Sequence, residues 1–160
     1  MPHSYSKIWI HLVWSTKDRL PYLSKEVKSK VIFHIREKAK TEGIYVDTIN
    51  GAEDHVHCLI ELGLKRSIAE VVSLLKGESS HWVNEQALMK LHFNWQIGYG
   101  AFSLAESQLD TVRRYILNQE EHHKAKTFEQ EYNELLKTYN VAHEGKRPCL
   151  RAVVSFSTQA

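Results

Sequence analysis

A chain of 160 residues, 42% hydrophobic and 25% charged, is sized for one globular domain with its own core. No run approaches the roughly 18 apolar residues of a membrane span, the first seven residues lack the apolar stretch of a secretory signal, and Cys58 and Cys149, without CxxC spacing, exclude a disulfide framework or zinc knuckle. The expected setting is therefore the cytoplasm, and a formal net charge of +2 makes no case for a nucleic-acid partner by itself, because phosphate contacts are local.

Residues 7–15 are rich in β-branched and aromatic side chains and predict a strand. Ser24 caps a helix with Val27, Val31, Ile32, Ile35 and Ala39 on one face, ending at Gly43. On charge alone, its Lys25, Lys28, Lys30, Arg36, Lys38 and Lys40 read as a solvated face. Residues 44–49 predict a second strand, Asn50-Gly51 a turn, and residues 55–62 a third strand. Ser67 and Glu70 form a capping box for a helix with Val71, Val72, Leu74 and Leu75 on its apolar face, interrupted or ended by Gly77. Residues 91–104, containing Trp95, Tyr99 and Phe102, predict a fourth strand bent or bulged at Gly98 and Gly100. Two more helices are expected over 107–124 and 127–139. The order is that of an α+β, ferredoxin-like (split βαβ) fold: a four-stranded antiparallel sheet with two helices on one face and its other face free for the additional C-terminal helices. Residues 1–140 form one domain on this reading, and 141–160, without helical periodicity, an irregular tail.

The third strand carries the first chemical signal. Alternation sends Val56, Cys58, Ile60 and Leu62 to the helix-covered core and His55, His57, Leu59 and Glu61 to the other face. Two imidazoles at i and i+2 lie roughly 6.5–7 Å apart at Cα and can share one metal ion; hydrogen-bonded histidines on a half-exposed sheet fit the same pattern. Two ligands leave such a site incomplete. The helix over 107–124 supplies candidates: with Leu109, Val112 and Ile116 as its buried stripe, Tyr115 and Gln119 lie one turn apart on a flank about 70° away. Gln119 offers a neutral oxygen to a hard cation and Tyr115 a hydroxyl nucleophile, although a boundary aromatic with a wet hydroxyl is the ordinary fate of a helical tyrosine. Lys76, Arg113 and Arg114 suit phosphate contacts or plain surface charge equally, and Trp82 and Trp95 fit core packing better than base stacking.

Three segments then resemble a known family. His55-Val56-His57, Trp95-Gln96-Ile97-Gly98-Tyr99-Gly100-Ala101-Phe102-Ser103 and Tyr115-Ile116-Leu117-Asn118-Gln119-Glu120-Glu121-His122-His123 are similar to the single-tyrosine HUH transposases, the insertion-sequence-two-hundred-like group that includes the REP-associated tyrosine transposases. The resemblance spans roughly residues 5–139. It implies that His55, His57 and Gln119 hold a divalent metal, magnesium or manganese, and that Tyr115 is the nucleophile. It also implies single-stranded DNA with hairpins as partner, and a homodimer in which the tyrosine helix can complete the partner subunit's site. Residues 141–160 depart from the family's usual acidic, aromatic ending.

The chemistry expected from these residues is attack by Tyr115 on a phosphodiester, releasing a 3′-hydroxyl and leaving a 5′-phosphotyrosine that another 3′-hydroxyl reverses without ATP. All three expected ligands are uncharged, so the ion keeps its full charge for the phosphate. No proton acceptor stands out; Glu61 shares the histidine face but has no better claim than solvent. Alternatives are a non-catalytic nucleic-acid-binding module of the RNA-recognition type, disfavoured by histidines where that fold carries aromatics, a metal-dependent hydrolase with a structural Tyr115, and a domesticated relative with a host role.

Overall fold

The computed structural model describes residues 3–139 and Val141. Strand β1 (Trp9–Ser15) is buried along its whole length, because it is an interior strand covered on both faces. β2 (Tyr45–Gly51), β3 (His55–Glu61) and β4 (Gly100–Leu104) complete a sheet of order β2-β3-β1-β4, with every pairing antiparallel. This is the expected ferredoxin-like arrangement.

Period-two alternation divides β1 and β3 between two cores. Ile10, Leu12, Trp14, Val56, Cys58 and Ile60 pack under Val31, Ile35 and Ala39 of α1 (Lys25–Thr41) and Val71, Val72 and Leu75 of α2 (Ile68–Glu85). The opposite face carries Trp9 and Leu59 under Leu109 and Ile116 of α3 (Leu109–Leu117), and Val13 and Phe102 under Phe128, Tyr132 and Leu136 of α5 (Phe128–Thr138). The free face is thus closed by the C-terminal helices. Local chemistry sets the helix ends: the Ser24 hydroxyl accepts from the Val27 amide, Gly43 ends α1 region at φ 70°, and Ser67 with Glu70 forms the capping box of α2. No helix among the described residues is long and apolar enough to cross a membrane.

Four expectations need correction. Gly77 neither interrupts nor ends α2, since the capping box and the stripe from Val71 to Val83 outweigh the roughly 1 kcal/mol that a helical glycine costs. The fourth strand is only Gly100–Leu104. Upstream of it, backbone pairing is confined to an isolated bridge between Thr16 and Trp95, with the Gln96 amide donating to the Ser15 carbonyl at 2.9 Å, and side chains hold the flanks: Asn84 bonds both backbone groups of Phe93, and Lys76 Nζ donates to the carbonyls of Gln96 and Gly98 at 2.7 and 2.6 Å. In place of one helix over 107–124 there is a 3-10 turn over Glu106–Gln108 and then two helices, α3 and α4 (Gln119–Ala125), parted at Asn118; Asn50 Nδ2 donates to the Leu117 carbonyl at 3.0 Å. The tail proposed for 141–160 lies outside the described residues beyond Val141.

Asn50-Gly51 is the fourth. Both residues belong to β2, and the turn falls on 52–54. Gly51 is required by proximity: a Cβ there would stand 2.1 Å from the His55 carbonyl oxygen. We expect Gly51→Ala to force β2 and β3 apart beside His55, lowering stability by about 1–3 kcal/mol in urea unfolding.

Candidate active site

β3 presents His55 and His57, both fully buried, toward the C-terminal helices. Each is oriented from behind. Asp54 Oδ1 lies 2.7 Å from His55 Nδ1, and His11 Nε2, on β1, lies 2.8 Å from His57 Nδ1. With both Nδ1 atoms engaged, the two Nε2 atoms point into one space, the arrangement that outer hydrogen bonds impose on metal-binding imidazoles.

Three helices fill the other side of that space. Gln119, the first residue of α4, is fully buried, and its Oε1 stands 2.9 Å from His55 Nε2. Its Nε2 is taken by Glu131 Oε1 at 3.0 Å and the Tyr115 carbonyl at 3.4 Å, which leaves the amide oxygen for the histidine side. Tyr115, on α3, has its ring centre 5.5 Å from that of His57. Its hydroxyl donates to Glu131 Oε1. Glu131, on α5 and only 5% exposed, brings Oε2 within 3.2 Å of His55 Nε2 and Oε1 within 3.2 Å of His57 Nε2. The His57 contact is not aligned as a hydrogen bond, so His57 Nε2 is a buried nitrogen without a hydrogen-bond partner.

Charge follows from these contacts. Burial disfavours a proton on His55, but the Asp54 and Glu131 carboxylates outweigh it and push the imidazole up to about 9. His55 is therefore an imidazolium at neutral pH, donating to oxygens on both sides. Burial dominates at His57, which falls to about 4 despite Glu131, and holds His11 well below the usual histidine range. Burial and the Glu131 charge keep the Tyr115 phenol well above its ordinary range. The two histidines hold Glu131 far below the usual carboxylate range against its burial.

Such a set suits a divalent cation. Nitrogens of His55 and His57 and an oxygen of Glu131 all lie within 4.8 Å of one another. Oxygens of Gln119 and Glu131 converge on His55 Nε2, and His57 Nε2 makes no hydrogen bond. The donor types, imidazole with amide and carboxylate oxygen, are those of Mn²⁺, Mg²⁺ and their neighbours. A second group, Asp54, His55 and His123, shares His55.

All four residues expected at the site, His55, His57, Tyr115 and Gln119, meet within one chain. His11, Asp54 and Glu131 were not anticipated. Glu131 had a signal: it falls between Phe128 and Tyr132 in the buried i, i+3, i+4 stripe of α5, where a carboxylate without a partner is costly. His11 shares the site face of β1 with Trp9 and Val13. Glu61 is instead engaged with Lys7 at 3.0 Å. Lys28 departs from the solvated face expected of α1: it is buried, bonding the Gly51 carbonyl at 3.0 Å and Glu120 at 2.7 Å. Arg113 grips Asp47 through two 2.8 Å bonds, Trp82 stacks on His34, and Trp95 donates to Ser79 in the core.

Comparison with known proteins gives one consistent picture. Residues 4–119 match the family described as transposase, IS200-like. The ISDra2 transposase TnpA of Deinococcus radiodurans is 29% identical over 114 residues, covering 68% of this chain and 81% of that protein. A crystal structure of a Deinococcus radiodurans R1 protein assigned as a transposase superposes with a TM-score of 0.61 at 25% identity, over 74% of this chain and 95% of the other. A REP-associated tyrosine transposase, solved bound to a REP hairpin, superposes with a TM-score of 0.56 over 93% of this chain and 94% of its own. At 15% identity, that second likeness concerns the fold.

Proposed function

The chain belongs to the IS200-like transposase family, and we propose that it cleaves single-stranded DNA at hairpin-bearing element ends and joins new strands through a 5′-phosphotyrosine on Tyr115. The observation that carries this reading is the convergence of a half-buried phenol, two oriented imidazoles and an amide oxygen on one space, within one chain. The hairpin is supported by the fold shared with the hairpin-bound REP-associated enzyme.

In this mechanism His55, His57 and Gln119 would hold a divalent ion, magnesium or manganese. When bound, it supplies charge neutralisation and orientation for the scissile phosphate. Asp54 and His11 engage the two Nδ1 atoms and so leave both Nε2 atoms for the ion. Tyr115 Oη attacks phosphorus as the bond to the 3′-oxygen breaks. The phenolic proton leaves the tyrosine and a proton reaches the departing 3′-oxygen, so the product is a phosphotyrosine and a free 3′-hydroxyl. Attack by a different 3′-hydroxyl reverses these bonds and joins strands with no external energy source. A homodimer is the proposed assembly; since Tyr115 reaches the histidines of its own chain, assembly of the centre does not require exchange of helices between subunits.

Incubation with end-labelled hairpin DNA and Mn²⁺ tests the proposal. An SDS-stable protein–DNA adduct is the expected product. Free cleaved strands without adduct would identify a hydrolase, and retention without cleavage a binding module of the RNA-recognition type. A domesticated relative would give the adduct as well, and differ only in the DNA it joins. His11→Ala removes the bond that orients His57, and we expect it to weaken Mn²⁺ binding by about tenfold in calorimetric titration.

A further inference from the structure

We propose that Glu131, carried by α5, is a further ligand of the divalent ion, so that the centre is closed by a carboxylate from a helix lying outside residues 4–119, the segment that matches the family. This inference rests on the metal-dependent reading above and assigns a residue which that reading leaves out.

Placement is the first ground. Glu131 Oε2 lies 3.2 Å from His55 Nε2 and Oε1 3.2 Å from His57 Nε2. No other carboxylate among the described residues is grouped with both imidazoles. The same oxygen that faces His57 accepts from the Tyr115 hydroxyl and from the Gln119 amide. One carboxylate therefore touches each of the four other groups of the centre.

Charge balance is the second ground. A carboxylate that is 5% exposed, between Phe128 and Tyr132, needs a positive partner, because an unpaired buried charge is strongly unfavourable. The groups it touches are two imidazoles, a phenol and an amide, none of them a permanent cation. Ligation to a divalent ion supplies that partner. His57 Nε2, near the carboxylate yet making no hydrogen bond with it, is the geometry of two groups directed at a common third body. The carboxylate also adds a hard oxygen, which moves the set toward Mn²⁺ and Mg²⁺.

Docking of α5 does not depend on this residue, since Phe128, Tyr132 and Leu136 bury the helix against Val13 and Phe102. Substitution at 131 therefore leaves a folded protein in which ligation can be read directly. Mn²⁺ binding is measured by electron paramagnetic resonance and calorimetry for the wild type, Glu131→Gln, Glu131→Ala and His57→Ala, with circular dichroism to verify folding. The expected result is at least about a tenfold loss of Mn²⁺ affinity in both Glu131 variants, since removal of even an outer-shell partner costs about that much, and a larger loss in His57→Ala. Affinity in both Glu131 variants that is unchanged or tighter than wild type, while His57→Ala loses the ion, would overturn the assignment and leave the metal centre standing. A wild type that binds no Mn²⁺ would overturn the metal centre and this ligand together.

Discussion

Tyr115→Phe is expected to lower DNA cleavage and strand transfer by about 10,000-fold or more, the scale on which removal of a covalent nucleophile acts. The substitution deletes one oxygen and keeps the ring, so the contacts with His57, His11 and His122 persist. The lost hydrogen bond leads to Glu131, which retains the Gln119 amide and both imidazoles. Folding and hairpin binding should therefore stay within about twofold of wild type, since nothing that holds α3 in place has been removed. The measurement is paired: adduct formation on denaturing gels and hairpin affinity by fluorescence anisotropy. A Tyr115→Phe protein that still forms an SDS-stable adduct would transfer the nucleophile to another residue. One that still releases free strands at the wild-type rate would make the phenol structural and the protein a hydrolase.

The elements of this protein that were readable in advance are those whose causes are local. Alternation along β3 placed His55 and His57 on the face opposite Val56, Cys58 and Ile60, and helical spacing kept Tyr115 and Gln119 together even though the helix breaks between them. Ser24 and Ser67 announced α1 and α2 because a hydroxyl caps the turn that follows it. Elements with remote causes were not readable. Residues 91–99 look like a strand but pair only at an isolated bridge between Thr16 and Trp95 and are otherwise held by Asn84 and Lys76 of α2, and the tyrosine helix parts at Asn118, where Asn50 of β2 bonds the Leu117 carbonyl. Gly51 looked like a turn glycine, yet it is glycine because β3 passes too close for a side chain. The site divides in the same way. Its two imidazoles, phenol and amide follow from periodicity and resemblance, whereas Glu131 and His11 become visible only when α5 and β1 are set beside them.

Mn²⁺ affinity should rise about tenfold for each pH unit between pH 6 and 8, a total of about 100-fold, with one proton released per ion bound. The sign follows from His55, raised from 6.5 to about 9 by Asp54 and Glu131 against its burial. In the metal-free protein the stabilisation due to this imidazolium is fully present below about 6.5 and is lost as pH rises through about 9. An ion can occupy Nε2 only after the proton leaves, so binding competes with protonation over the whole window. His57, already neutral above about 4, adds nothing to the slope there. An unperturbed histidine would instead flatten the curve above about pH 7, and that contrast makes the result decisive. Calorimetry in buffers of different ionisation enthalpy counts the proton directly. A count near zero at pH 7.5, or a flat affinity from pH 7 to 8, would mean that the carboxylates do not hold His55 charged. Melting temperatures give a second check of opposite sign: the metal-free protein should lose stability from pH 7 to 9.5, while stabilisation by a fixed Mn²⁺ concentration grows from pH 6 to 8, because the ion takes over the pairing that the proton provides.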